Sequence, residues 1–281
     1  MKLWSLALVL AFLCLVSALY AEAQSTLPRT NSPSATHAVT RTDANSLLAH
    51  QLLLAKTKQG RIDLYFVGDS ITRRWGAADP QYRPLLDNWT TNFFGWNAAN
   101  FGWGADRIEN ILWRLENGEL DHVDPKVIVV LAGINNVGTQ PGGPEKVQDI
   151  SQGIRALLNV CQAKAPNATI VLMALFPRND NLAVIPTING INEQIEQYTN
   201  GRRIRYLNIN RKLADEHGKL FPEMMNPDNL HPTLKAYQVW ADALKPILTE
   251  VLGPPATTDQ APPPSGDPGA TGGTKMTRVR P

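Results

Sequence analysis

The sequence predicts an α/β domain in three layers, an α/β/α sandwich around a mainly parallel central sheet. Three observations carry that expectation. Short apolar, β-rich runs such as IDLYFVG (62–68), KVIVVLAG (126–133) and TIVLMAL (169–175) alternate with segments of helical periodicity. The run at 126–133 is continuously apolar and rich in β-branched residues, the pattern of a strand buried on both faces. Strand and helix follow one another in the order parallel pairing needs, because each crossover between parallel strands requires a long connection.

Taken in order, a helix is expected from Leu47 to Lys58, then the first strand at 62–68. Asn97 to Phe101 reads as a second strand. In DRIENILWRLENG, Ile108, Ile111, Leu112 and Leu115 recur at helical spacing and Gly118 stops the helix. The central strand at 126–133 follows, then a helix near 145–164 and the strand at 169–175. A helix near 187–199 and the strand IRYLNI (204–209) precede a last helix with Tyr237, Trp240, Leu244, Ile247 and Val251 on one stripe.

The chain has 281 residues, 43% of them hydrophobic, and a formal net charge of +2. That suits one mid-sized domain with an ample core, not a disordered chain. The near-neutral balance leaves no electrostatic footprint for nucleic acid, and Arg202-Arg203-Ile204-Arg205 reads as a solvated strand edge. Residues 1–23 read as a signal peptide: Lys2, an uncharged run from Leu3 to Tyr20, and Ala21-Glu22-Ala23 as a small-x-small cleavage site. The run is long enough to serve instead as a retained anchor. Cleavage is the expectation, giving a secreted or periplasmic protein with no stable membrane insertion. Only Cys161 would then remain, and no intramolecular disulfide is possible. Residues 24–43 read as a flexible leader, 44–252 as the folded domain, and the Pro/Gly-rich 253–281 as a disordered tail whose removal leaves chemistry intact.

In open parallel sheets ligands bind outside the carboxyl ends of the strands. Four such ends matter here: Gly68-Asp69-Ser70, Phe101-Gly102-Trp103-Gly104, Gly133-Ile134-Asn135-Asn136, and the loop NPDNLHP before the last helix. Ser70 is either a helix N-cap or a nucleophile. Nucleophilic use requires a base and an acid that orients it. Of five histidines, His37 lies in the leader, His50 in the upstream helix, His122 at the wrong end of the sheet and His217 in a solvated turn. His231 differs, because Asp228 three residues earlier can fold back onto its imidazole and Pro232 begins the last helix. Standing alone, the pair reads first as a cap and a surface histidine; its place after the last strand, with a serine at the first strand end, reverses that preference. Asn135 can aim its amide at a developing oxyanion or form a turn, and the Gly102–Ala105 loop opens a helix with free N–H groups. GWGADR has Arg107 where the third glycine of a dinucleotide loop would fall. No Walker A loop, H-E-x-x-H or paired C-x-x-C occurs, so no cofactor or metal is expected.

FVGDSIT, NFGWGADRIENILWRLENGEL, PKVIVVLAGINN and DNLHP occur in this order between residues 66 and 232. Together they resemble the SGNH (GDSL-type) hydrolase family, whose fold is flavodoxin-like. They resemble most the branch that holds the platelet-activating-factor acetylhydrolase catalytic subunits and many exported esterases. The resemblance implies Ser70 as nucleophile, His231 as base and Asp228 as its orienting acid. It implies an oxyanion hole of the Ser70 N–H, the Asn135 amide and a backbone N–H from the second block. Relatives carry glycine before the aspartate of that block, and this chain has Ala105. Alanine still has the N–H, with Gly104 as the fallback donor, but is strained if the site demands positive φ. Asp69, Trp75, Trp103 and Gly104 are the further substrate-binding candidates, the two tryptophans either lining the site or packing beneath the loops. The expectation is an exported serine esterase acting on short-chain, chiefly acetyl, esters of carbohydrates or lipids. The alternative is a non-catalytic glycan- or lipid-binding protein on the same fold. Oligomerisation is left open.

Overall fold

The computed structural model describes residues 34–270. The expected signal peptide, the leader up to residue 33 and the tail from residue 271 lie outside the described residues.

Five parallel strands form one sheet: β1 (Leu64–Gly68), β2 (Ala98–Asn100), β3 (Val127–Leu131), β4 (Thr169–Met173) and β5 (Ile204–Leu207), in spatial order β2-β1-β3-β4-β5. Leu64–Gly68 and Val127–Leu131 are buried throughout, because helices cover both faces. The helices are α1 (Ala44–Lys56), α2 (Ser70–Trp75), α3 (Arg83–Phe93), α4 (Ile108–Arg114), α5 (Ile134–Val137), α6 (Pro144–Lys164), α7 (Ile185–Glu196), α8 (Asn210–Leu213) and α9 (Leu234–Leu252). On one side of the sheet α4 packs on α6 and α6 on α7; elsewhere α9 packs on α3. The expected three-layer α/β architecture is therefore present. The last helix starts later than Pro232 suggested, because the Thr233 hydroxyl accepts from Ala236 N and makes Thr233 the cap.

The topology places the site. The chain leaves β1 for β2 on one side and returns to β3 on the other, so the switch point lies between β1 and β3. Gly68 pairs with Leu131, so the two strands end level. Ser70 follows the first and Asn135 the second. Beneath them Phe66, Trp75, Trp89, Phe93, Tyr237 and Trp240 form an aromatic cluster with tilted and edge-on contacts at 4.7–5.0 Å and a stacked Tyr237–Trp240 pair at 6.3 Å.

Both expected flexible segments are partly ordered. Residues 34–43 lie against the body: Ser34 Oγ donates to Asp149 (2.6 Å), Val39 N to Glu109 O (2.9 Å), and Ala35 is buried beside Gly153. Residues 253–270 form a strap rather than a disordered tail. Trp96 Nε1 donates to Gly253 O (2.9 Å), Ala256 N to Gly95 O (3.0 Å), Arg61 N to Gln260 O (2.8 Å) and Ala78 N to Ser265 O (3.1 Å). A proline-rich segment has few N–H groups to satisfy, so an extended path over a donor-rich surface suits it. Gly60 and Gly95, both at positive φ, permit the approach, since a Cβ at either would run into the strap's carbonyl oxygens. Among the described residues no helix is long and apolar enough to cross a membrane.

Candidate active site

Asp69 answers the question of the cap. Its Oδ1 accepts from Ile71 N (2.9 Å), so the aspartate, not Ser70, caps α2. Ser70 becomes the first helical residue, and its hydroxyl is released to make a 2.8 Å hydrogen bond with His231 Nε2. The imidazole's other nitrogen, Nδ1, lies 2.8 Å from Asp228 Oδ2. The loop holding this pair is self-templated. Asp228 Oδ1 accepts from Leu230 N (3.1 Å) and His231 N (2.9 Å), closing a tight turn through Asn229 at φ +58°. Asn226 Nδ2 donates to Pro232 O (2.6 Å) and fixes the exit.

The electrostatics select one protonation pattern. Burial works against charge on Asp228, but the N–H groups of His231 and Leu230 and the imidazole outweigh it and hold the carboxyl at about 2. Burial and the Arg74 guanidinium push His231 below the usual imidazole value, against the pull of Asp228. At neutral pH the imidazole is therefore uncharged, donates from Nδ1 to the carboxylate and accepts the Ser70 proton at Nε2.

The donor side of the site forms where three loops meet. Trp103 N donates to Gly68 O (3.1 Å) and ties the second loop to β1. Ala105 is exposed and sits at φ +61°, the left-handed conformation that alanine disfavours. Among the described residues its N–H and that of Ser70 make no hydrogen bond. Gly133, at φ +122°, turns the chain after β3 into α5. Asn135 Nδ2 donates to Asp106 O (2.8 Å), which fixes the amide and leaves its second hydrogen available. Asn136 stitches the same loops: its Oδ1 accepts from Ile108 N (3.0 Å) and its Nδ2 donates to Glu109 (2.7 Å). Below them Arg114 Nε donates to Asp106 (2.7 Å), and its other arm meets Glu119, which is bonded to His50 (2.8 Å).

A profile of the GDSL-like lipase/acylhydrolase family matches residues 66–239, from β1 into α9. The chain belongs to the GDSL-like lipase/acylhydrolase family. The GDSL chain is accordingly an ester hydrolase. The human platelet-activating factor acetylhydrolase IB subunit alpha1 is 28% identical to it over 212 residues, 75% of this chain and 85% of that protein. The Bos taurus alpha2 subunit is 33% identical over 131 residues, 47% of this chain and 51% of that one. A GDSL-like lipase from Bacteroides thetaiotaomicron shares the fold with a TM-score of 0.55 at 20% identity, over 70% of this chain and 90% of that one. So does a carbohydrate esterase family 3 protein from Talaromyces cellulolyticus, TM-score 0.50 at 17% identity, over 68% and 98%.

Within this GDSL site the structure brings Ser70, Asp228 and His231 together, and sets Ala105 and Asn135 on neighbouring loops. It separates the other expected substrate contacts. Asp69 is wholly buried, its Oδ2 lacks a partner, and burial pushes the carboxyl up to about 7. Trp75 is wholly buried in the aromatic cluster and donates to Asn88 (2.9 Å), so it packs beneath the loops. Trp103 is also largely buried, donates to Ser46 Oγ (2.9 Å) and lies under the Arg73 guanidinium, 4.8 Å from the ring centre. Gly104 remains at the surface, with open space where a Cβ would stand. Sequence reasoning missed Arg74, whose Nη1 lies 3.1 Å from Asp228 Oδ2. The signal was the second arginine of SITRRW, placed one turn beyond the nucleophile position.

Proposed function

We propose that this GDSL hydrolase is an exported serine esterase that acts on short-chain, chiefly acetyl, esters through an acyl-enzyme. The observation that carries the reading is the unbroken line from Ser70 Oγ to His231 Nε2 (2.8 Å) and from His231 Nδ1 to Asp228 Oδ2 (2.8 Å). Neutral His231 takes the Ser70 proton as Oγ attacks the ester carbonyl. Asp228, held as a carboxylate, keeps the imidazole in the accepting tautomer and stabilises the imidazolium that forms. The new oxyanion rests on the N–H groups of Ser70 and Ala105 and on the Asn135 amide. His231 then protonates the leaving alcohol, the C–O bond breaks, and the acyl group stays on Ser70. Water repeats the cycle, giving up a proton to His231 and releasing the acid.

Acetyl preference is supported by the names of the curated relatives, acetylhydrolase subunits. Export rests on the charged, apolar and small-x-small pattern of residues 1–23. The test is a chain-length series of p-nitrophenyl esters with Ser70→Ala as control. The expected kcat/KM is highest for acetate and is abolished in the variant. A maximum at long chains overturns the acyl assignment; full activity in the variant overturns the mechanism. Secretion is tested by expressing the full chain and sequencing the N-terminus of the exported product, expected to begin at Gln24.

A further inference from the structure

The Ala105 N–H belongs to the same rigid peptide unit as the Gly104 carbonyl. That unit is planar and trans, so the two groups point in opposite directions. Whatever holds Gly104 O therefore aims the Ala105 N–H. Gly104 O accepts from Arg41 Nη1 (3.2 Å), and the same nitrogen donates to Asp106 Oδ1 (3.3 Å) on the other side of the alanine. Arg41 thus spans the two residues that flank Ala105. It comes from the ordered segment before α1, outside the family match at residues 66–239.

The guanidinium is anchored on its far edge. Its Nε (2.9 Å) and Nη2 (2.8 Å) meet Asp43, whose Oδ1 accepts from Ser46 N (2.9 Å) and caps α1. Asp106 is equally fixed. It is wholly buried, and Arg114 Nε holds its Oδ2 (2.7 Å) from the interior while Arg41 holds Oδ1 from the surface.

The loop needs such a hold. Ala105 is exposed, and a Cβ at Gly104 would meet only open space, so packing does little to fix this peptide. At φ +61° the alanine occupies the left-handed region, which an L-residue disfavours by a factor of about 5–30. Turning the Gly104–Ala105 peptide over relieves the strain, because it changes ψ of Gly104 and φ of Ala105 together. The same flip breaks the bond from Arg41 to Gly104 O and reverses the direction of the Ala105 N–H.

We propose that Arg41 is a positioning residue for ester hydrolysis: by holding Gly104 O, it keeps the strained peptide turned so that the Ala105 N–H faces the developing oxyanion. The inference rests on the reading of Ser70 as nucleophile and Ala105 as oxyanion donor. It also gives the segment before α1 a part in the chemistry of the site.

The test is a cycle of Arg41→Ala and Ala105→Gly, with Arg41→Lys as a third variant, each measured for p-nitrophenyl acetate hydrolysis and thermal unfolding. Arg41→Ala is expected to lower kcat about tenfold with KM unchanged, the signature of an interaction used only in the transition state. Arg41→Lys keeps the charge and a donor but not the fork, and is expected to recover part of the loss. Glycine adopts positive φ as readily as negative, so in the Ala105→Gly background the loss from Arg41→Ala is expected to be several times smaller. Wild-type kcat in Arg41→Ala, or the same loss in both backgrounds, overturns the proposal. A wild type inert toward the ester is a failure of the Ser70 reading instead. Hydrogen exchange at Asp106 N, which donates to Trp103 O (3.4 Å), then judges the clamp. Exchange is expected to quicken in Arg41→Ala, and an unchanged rate overturns the proposal.

Discussion

Arg74 Nη1 lies 3.1 Å from Asp228 Oδ2, the same oxygen that takes the His231 Nδ1 proton at 2.8 Å. The arginine therefore lowers the proton affinity of His231 in two ways. It shares the carboxylate that stabilises imidazolium, and its own positive charge disfavours imidazolium directly. Both lower the His231 pKa. In the proposed mechanism the working base is neutral imidazole, so kcat/KM for p-nitrophenyl acetate is expected to rise with pH and level off, with a midpoint below the ordinary histidine value. Arg74→Gln removes the charge and is expected to move that midpoint to higher pH. A midpoint that stays in place, or moves down, contradicts the assignment.

Ala105 at φ +61° makes a second prediction. An L-residue in the left-handed region costs about 1–2 kcal/mol. Replacing it with glycine returns about 0.4–1 kcal/mol to the unfolded chain as entropy. The strain is the larger effect, so Ala105→Gly is expected to raise stability by roughly 0.5–1 kcal/mol and to keep activity. Ala105→Pro removes the N–H and forces φ to about −65°, and is expected to abolish turnover in a protein that still folds. Thermal unfolding with an esterase assay reads both.

Adjacent asparagines separate by role. Asn135→Ala removes an oxyanion donor and is expected to lower kcat by about 10²–10³. Asn136→Ala instead frees Ile108 N and Glu109, so the expected effect is a stability loss of about 1–2 kcal/mol with a smaller fall in kcat. Equal kcat losses in the two variants would contradict this division.

The convergence of Ser70, Asp228 and His231 was legible in the sequence because its signals are local. A strand end precedes Ser70, and D-x-x-H folds back within one turn. Register supplied the rest, since the ends of β1 and β3 are level. Arg74 was hidden because its partner is 154 residues away. Trp75 was ambiguous because the helix that carries it was visible but the side of α2 facing the core was not. The strap was unreadable for a different reason: Pro/Gly composition says that a segment cannot bury a face of its own, not that another surface will hold it. His50 looked incidental until Glu119 and Arg114 connected it to Asp106 under the oxyanion loop.

Asp69 carries a stability signature. Its carboxyl is raised from 3.8 to about 7 by burial, so the neutral form suits the fold. Its contribution is full below the unfolded value and is lost as pH rises through about 7. Asp69→Asn keeps the oxygen that caps Ile71 N and no longer titrates. The stability of the variant relative to wild type is expected to improve between pH 4 and pH 7, as read by urea unfolding at a series of pH values around this range. A constant difference would place the charge of Asp69 elsewhere.

Ending the chain at Leu252 removes the strap's bonds to Trp96, Gly95, Arg61 and Ala78. Each net hydrogen bond is worth about 0.5–1.5 kcal/mol, and ordering the strap offsets part of that. A net loss of about 2 kcal/mol is expected, lowering Tm by roughly 4–8 °C in a domain of this size. An unchanged Tm would mean that the strap contributes contacts without stability.

The central claim is that Ser70 is the nucleophile. Its most direct test is treatment of the purified protein with a fluorophosphonate, alongside Ser70→Ala, and location of the adduct by peptide mass spectrometry. The account predicts a single adduct on Ser70 that abolishes p-nitrophenyl acetate hydrolysis in step with labelling, and none in the variant. An adduct on another residue, or a folded wild-type protein that hydrolyses the ester without being labelled, would contradict it.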